Sequence, residues 1–392
     1  MSQTYDVERS PITVRYKESA QFTETYGFVG STGMVMVEGQ HLVPRGRPSK
    51  TVLIFMHPSS TLNLLPLPNA LPAAGIHVMC CGSRYAKNDS ALIMEKVALD
   101  LGAYVRYAKE TLGYEKVVLA GWSGGGSLSM FYQAEAEHPT VTTTPAGDPV
   151  DLTQAGLIPA DATMFLAAHL SRAKTLTEWI DPSVTNELDP DTRVRELDLY
   201  DEANPNQPPY SQEYLARYRA AQVARNRKIT AWVRDMIDKL KRANTGELER
   251  GFVVHRTMAD PRWLDPAVDP NDRKPRWCFL GNPRTVNVGP VGLARFCTLR
   301  SWLSQWSYDD SRADGPRSAA RISVPTMVIE NSADDAAPSS HAREIFKAVA
   351  SKDKEMKVIK GATHYYQNQP KELAEAVVVV TDWLRRKKLL ND

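Results

Sequence analysis

Short apolar runs and helix-period stripes alternate along the first part of the chain. Thr51-Val52-Leu53-Ile54-Phe55-Met56 is an unbroken apolar run enriched in β-branched residues, and Ile76 to Cys80 is another, so both read as buried strands. Gly33 to Val43 reads as an earlier strand. Between Ser90 and Leu112, the apolar positions Leu92, Val97, Leu101, Val105, Ala108 and Leu112 recur at helical spacing, and Gly113 follows where a helix-ending glycine belongs. Lys116 to Ala120 is again strand-like, and Ser123 to Glu135 reads as the helix behind it. Strands alternating with helices predict a mainly parallel sheet covered on both faces.

After a further strand, Thr163 to Ala168, the pattern changes. The segment from about 170 to 320 is rich in proline and charge. It holds one long helical stretch, Ser211 to Lys241, with a stripe at Leu215, Tyr218, Ile229, Trp232, Val233, Met236 and Leu240. Gln222 and Arg225 interrupt that stripe, which places part of it against solvent or a cleft. The alternation then resumes with a strand at Pro325–Glu330, a helix at Ser340–Val349, a strand at Glu355–Ile359 and a closing helix at Leu373–Leu390. The expected organisation is an α/β domain formed by residues 1–169 and 321–392, split by an inserted, mainly helical cap at 170–320.

Composition narrows the function classes. A chain of 392 residues with 42% hydrophobic content can bury a large core, and a formal net charge of +2 gives no broad basic surface for nucleic acid. The Arg385-Arg386-Lys387-Lys388 run suits the solvated, negative end of the last helix. The N-terminal residues MSQTYDVERS lack the apolar core of a signal peptide, and no stretch reaches the ~20 apolar residues that cross a bilayer. Four cysteines without metal-ligand spacing suggest a reduced, cytoplasmic protein. A homodimer is compatible with these features. No motif calls for a metal or a cofactor.

The chemistry-bearing motif is Gly121-Trp122-Ser123-Gly124-Gly125, lying between the strand Lys116–Ala120 and the helix that follows it. A sharp strand-to-helix turn lifts a serine above the carboxyl edge of a sheet, and small residues are needed because helix and strand approach closely there. A serine hydroxyl needs a base, and the base needs an orienting carboxylate. Both occur downstream, in the order serine, acid, histidine. Asp334 lies just past the strand Pro325–Glu330, and His364 just past the last strand. Asp335 stays open as a competing acid, with Glu330 a more distant one. The Gly124 amide, at the positive end of its helix, is the expected first oxyanion donor. The second should come from His57-Pro58-Ser59-Ser60-Thr61. Pro58 has no N–H, so the Ser59 amide is expected, with Ser60 next. His57 itself reads as a structural loop residue.

Segments 51–135 and 323–390 resemble the α/β-hydrolase superfamily. Val328-Ile329-Glu330 through Pro338 is similar to its strand-then-Gly-x-x-Asp-x-x-x-Pro acid motif, with Asn331 in the glycine position, and Gly361-Ala362-Thr363-His364-Tyr365 resembles its histidine loop. The resemblance implies an α/β-hydrolase fold and a triad of Ser123, His364 and Asp334. A serine at the nucleophile position implies acyl chemistry, namely hydrolysis of an ester, thioester or lactone, with acyl transfer or C–C bond hydrolysis as alternatives. A slow ligand-binding or sensor protein on the same fold is the rival from another class. The expected partner is a small organic substrate, aromatic or carboxylate-bearing, because the insertion carries Trp179, Trp232, Trp263, Trp277, Trp302 and Trp306 with arginines beside some of them. Trp122, Arg84, Tyr85, Trp302 and Trp306 are the expected substrate-binding residues. A structural ion pair for Arg84 and a packed cap core for the tryptophans are the competing expectations.

Overall fold

A computed structural model describes residues 4–18 and 33–390. Its centre is an eight-stranded sheet in the order β1-β2-β4-β3-β5-β6-β9-β10, with a separate two-stranded sheet, β7-β8. The strands are β1 (Val7–Lys17), β2 (Met34–Pro44), β3 (Thr51–Met56), β4 (His77–Cys81), β5 (Lys116–Trp122), β6 (Ala162–Leu166), β7 (Gly251–Val253), β8 (Phe296–Thr298), β9 (Thr326–Asn331) and β10 (Lys354–Ile359). From β4 to β10 all neighbours in the large sheet run parallel. β1 and β2 form an antiparallel edge. The antiparallel partner β1 has no counterpart in the sequence reading, because its Pro11 and four charged residues hide a half-exposed alternation.

The period of two along each strand divides the core. Val52, Ile54 and Met56 of β3 pack with Leu101 and Tyr104 of α1 (Met94–Arg106) and with Leu128 and Phe131 of α2 (Gly124–Glu137). Leu53 and Phe55 point to the other face, against Val380 and Trp383 of the last helix (Pro370–Arg386). All six residues of β3 are buried, as expected of a strand covered on both sides. The four cysteines are buried and unbridged. Among the described residues, no helix is long and apolar enough to cross a membrane.

Between β6 and β9 the chain leaves the sheet. α3 (Arg172–Trp179) and the 32-residue α4 (Gln212–Ala243) dominate this stretch. Leu176, Ile229, Val233, Ile237, Leu240, Trp302 and Trp306 form a separate apolar cluster there. Gln222 and Arg225, which interrupt the α4 stripe, do not themselves open it to solvent or a cleft, since both are buried. Gln222 Nε2 donates to the carbonyls of Glu178 (2.7 Å) and Ile180 (2.9 Å), and Arg225 pairs with Glu187 at 2.7 Å. These are polar cross-links that a hydrophobic stripe alone does not reveal. Trp232, placed on the stripe, is 43% exposed.

The insertion is joined to the sheet domain by a buried carboxyl group. Glu95, at the start of α1, accepts from Ser304 Oγ at 2.7 Å while its other oxygen has no partner. Burial pushes its carboxyl up to about 7. The folded-state value lies above the unfolded one, so the stability it contributes is present below about pH 4.5 and is lost as pH rises through about 7. Glu95→Gln is therefore expected to raise Tm by about a few degrees at pH 8 and to change it little at pH 4, as thermal scans across pH would register.

Candidate active site

The turn from β5 into α2 puts Ser123 at φ 55°, ψ −125°, a backbone conformation that L-residues adopt at a cost and that is typically found where function demands it. Close packing holds the turn. A Cβ on Gly125 would lie 2.3 Å from the Met56 carbonyl oxygen, and one on Gly126 would lie 2.4 Å from the Ala168 Cβ. The glycines after Ser123 are thus required by the distance between helix and strand, as the sequence pattern implied. The Ser123 amide donates to the Leu166 and Ala167 carbonyls, and the Ser123 carbonyl accepts from the His169 amide at 3.0 Å.

Loops from the carboxyl ends of the parallel strands meet over this turn. His364 Nε2 lies 3.1 Å from Ser123 Oγ, and His364 Nδ1 lies 2.7 Å from Asp334 Oδ2. Asp334 is 1% and His364 2% exposed, so water does not compete for this pair. The second carboxylate oxygen, Asp334 Oδ1, accepts from the amides of Ala336 and Ala337, each at 2.7 Å. Asn331 joins the acid loop to the histidine loop. Its Nδ2 donates to the Thr363 carbonyl at 2.9 Å, and its Oδ1 accepts from Tyr366 at 2.8 Å. A glycine here would supply neither bond.

Asp335 is not in the row. Burial, and then the charge of Asp334, push its carboxyl up to about 6, while its backbone carbonyl accepts from Trp263 Nε1. Glu330 is buried beside Arg343 at 3.6 Å, with one carboxylate oxygen unpartnered. Asp335→Asn is expected to leave turnover within about tenfold of the parent, because the carboxylate that touches His364 is kept; steady-state kinetics would register a larger loss if Asp335 were the acid.

The loop after β3 differs from expectation. The Ser59 amide donates to His57 Nδ1 at 3.2 Å, and the Ser60 amide donates to the same atom at 3.0 Å. Neither of the two expected amides is free for an oxyanion. His57 Nδ1 accepts twice and so carries no proton. Burial holds the ring well below the usual histidine range, an effect reinforced by Arg172 and His364. A neutral ring with an unprotonated Nδ1 bears its hydrogen on Nε2. That nitrogen faces Gly124: a Cβ on Gly124 would lie 2.7 Å from it. The Gly124 amide, as the first N–H of α2, has no helical carbonyl to serve.

A cavity of about 160 Å³ opens above Ser123, with Trp122, Trp179, Phe279, Trp306 and Tyr365 in its walls. Trp122 packs on the His364 ring at 4.5 Å and donates to the His364 carbonyl at 3.3 Å. Trp122 and Trp306 line this cavity. Three other expected substrate residues do not. Arg84 is consumed by Asp100 (2.9 Å) and Glu18 (2.6 Å), the competing ion-pair expectation. Tyr85 is buried in the core beneath α1. Trp302 is fully buried in the insertion's own apolar cluster and donates to Thr230 at 2.9 Å. Of α3 the sequence reading singled out Trp179 alone and missed Arg172 and Thr175. Arg172, Thr175 and Trp179 all line the cavity, and their spacing of three and four was the available signal. Among the described residues, no group of three or more His, Cys, Asp or Glu side chains is placed to hold a metal.

No protein-family model matches this sequence. No curated protein matches it either. Similarity to solved structures is extensive at low identity. The α/β hydrolase GrgF from Penicillium sp. sh18 superposes with a TM-score of 0.52 at 12% identity, covering 97% of this chain and 98% of its own. DcsB, solved in complex with its substrate analogue, gives a TM-score of 0.51 at 13% identity, covering 96% of this chain and 99% of its own. The chain has the α/β-hydrolase fold.

Proposed function

We propose that this protein is a serine hydrolase of carboxylic esters. The observation that carries the reading is the continuous row Ser123 Oγ, His364 Nε2, His364 Nδ1 and Asp334 Oδ2, linked at 3.1 and 2.7 Å on a strained turn at the mouth of a cavity. In this reading Ser123 Oγ bonds to the carbonyl carbon while its proton passes to His364 Nε2. Asp334 holds the ring with Nδ1 protonated and stabilises the imidazolium. The tetrahedral oxygen takes its hydrogen bonds from the Gly124 amide and from His57 Nε2–H, which replaces the expected Ser59 amide. The carbon–oxygen bond to the alcohol then breaks, and the leaving oxygen takes the proton from His364. Water, deprotonated by His364, attacks the acyl-enzyme, and Ser123 regains a proton as the acid departs.

A fluorophosphonate probe is expected to label the folded protein at Ser123, with mass spectrometry locating the adduct, and the Ser123→Ala protein is expected to remain unlabelled. Absence of labelling on folded parent protein would overturn the reading in favour of a non-catalytic binding role.

A further inference from the structure

The cavity wall holds polar groups that the chemistry above does not use. α3 turns Arg172, Thr175 and Trp179 to one side, and Thr175 Oγ1 is buried with no hydrogen-bond partner. His169, which leads into α3, has a buried Nδ1 that is likewise without a partner. Its ring lies among Trp179 at 5.8 Å, His341 at 5.9 Å and His364 at 6.3 Å. Burial and these neighbouring rings keep it neutral, so one ring nitrogen donates and the other accepts. Buried polar atoms left unpaired are costly, and a bound polar group that reaches them recovers that cost.

The rest of the wall sets size and charge. About 160 Å³ is close to the ~150 Å³ of an apolar cavity that takes up one benzene molecule, and the lining includes the rings of Trp122, Trp179, Phe279, Trp306 and Tyr365. Arg172 does not ask for an anion. Its Nη2 pairs with Asp89 at 2.5 Å, its Nε donates to Gln305 at 2.9 Å, and its guanidinium covers the Trp306 ring at 4.3 Å. The local charge is already balanced, which removes the electrostatic reason to expect a carboxylate-bearing substrate.

We infer that the cavity selects a single neutral aromatic ring carrying a hydroxyl group, with Thr175 and His169 as the hydrogen-bonding residues for that hydroxyl. A hydroxyl both donates and accepts, which suits a threonine oxygen and a neutral imidazole together. The inference rests on the ester-hydrolase reading only in making the ring part of an ester. Trp179 and Phe279, whose rings are 5.5 Å apart, supply the apolar side of the same wall.

Calorimetric binding to the Ser123→Ala protein tests this without turnover. The probes are methyl benzoate, methyl 3-hydroxybenzoate, methyl 4-hydroxybenzoate and monomethyl terephthalate. One of the hydroxy esters is expected to bind about tenfold or more tightly than methyl benzoate, and the carboxylate no more tightly than methyl benzoate. Adding Thr175→Val, which keeps the shape, should shrink the hydroxyl preference to about twofold. Equal affinities, a preference for the carboxylate, no binding of any aromatic ester, or a preference that survives both Thr175→Val and His169→Phe would each overturn the inference. The ligand comparison on Ser123→Ala stands even if the second substitutions impair folding. Hydroxyl-selective binding without ester turnover by the parent would sink the hydrolase reading alone; turnover without hydroxyl selectivity would sink this inference alone.

Discussion

Ser123→Ala is expected to lower ester turnover by about 10⁴-fold or more, with Tm close to that of the parent. The side chain is small, and the turn around it is held by its neighbours: the Leu166 and Ala167 carbonyls on one side, the His169 amide on the other, and the close approach of Gly125 to Met56. Alanine at the same φ keeps those backbone bonds and removes only the nucleophile. His364→Ala should give a loss of similar size, and the double variant should lose little more, because the two groups act as one unit. Single-turnover kinetics with a chromogenic ester, alongside a thermal scan, distinguishes loss of chemistry from loss of fold. Near-parental turnover in Ser123→Ala would remove the serine mechanism.

His57→Leu is expected to reduce kcat by about 10²–10³-fold with KM little changed, the usual consequence of deleting one oxyanion donor. Two backbone amides fix its tautomer, burial keeps it uncharged, and Nε2 faces Gly124. His57→Gln, which can offer an N–H from a side chain of similar reach, should restore part of the loss. A structural role alone would instead lower Tm and leave the kcat of the surviving folded fraction intact. The pH–rate profile provides an independent check. His57 is held neutral well below the usual range, so His57→Leu should lower the plateau without moving the acidic limb set by the remaining groups.

Much of the fold could be read in the sequence because its signals were local. The β3 run 51–56 agrees with the strand residue for residue, and the α4 start at Ser211 is a side-chain cap that accepts from the Tyr214 amide at 3.1 Å. Ser123, Asp334 and His364 were found through chain order and strand ends, which a one-dimensional string preserves. Its failures share a cause as well. Whether the Ser59 amide points at a substrate or at its own neighbour depends on the orientation of the His57 ring, which no spacing encodes. Arg84 and Trp302 have the right composition for a pocket, but Asp100 and Thr230, distant in sequence, satisfy them. Arg172 and Thr175 of α3 escaped notice because an arginine and a threonine do not make an apolar stripe.

The amide of His169 on the Ser123 carbonyl has a practical consequence for building chimaeras. The residue that steadies the Ser123 backbone is nearly the last before the insertion begins, and Arg172, at the start of α3, is only three positions on. A graft that exchanges the insertion for that of another protein of this fold has to place its junction after His169. Set there, the exchange replaces the cavity wall formed by Arg172, Thr175 and Trp179 and leaves the row of Ser123, His364 and Asp334 in place. Set a few residues earlier, at Ala167, it changes both at once, and a dead hybrid would be misread as an incompatible insertion.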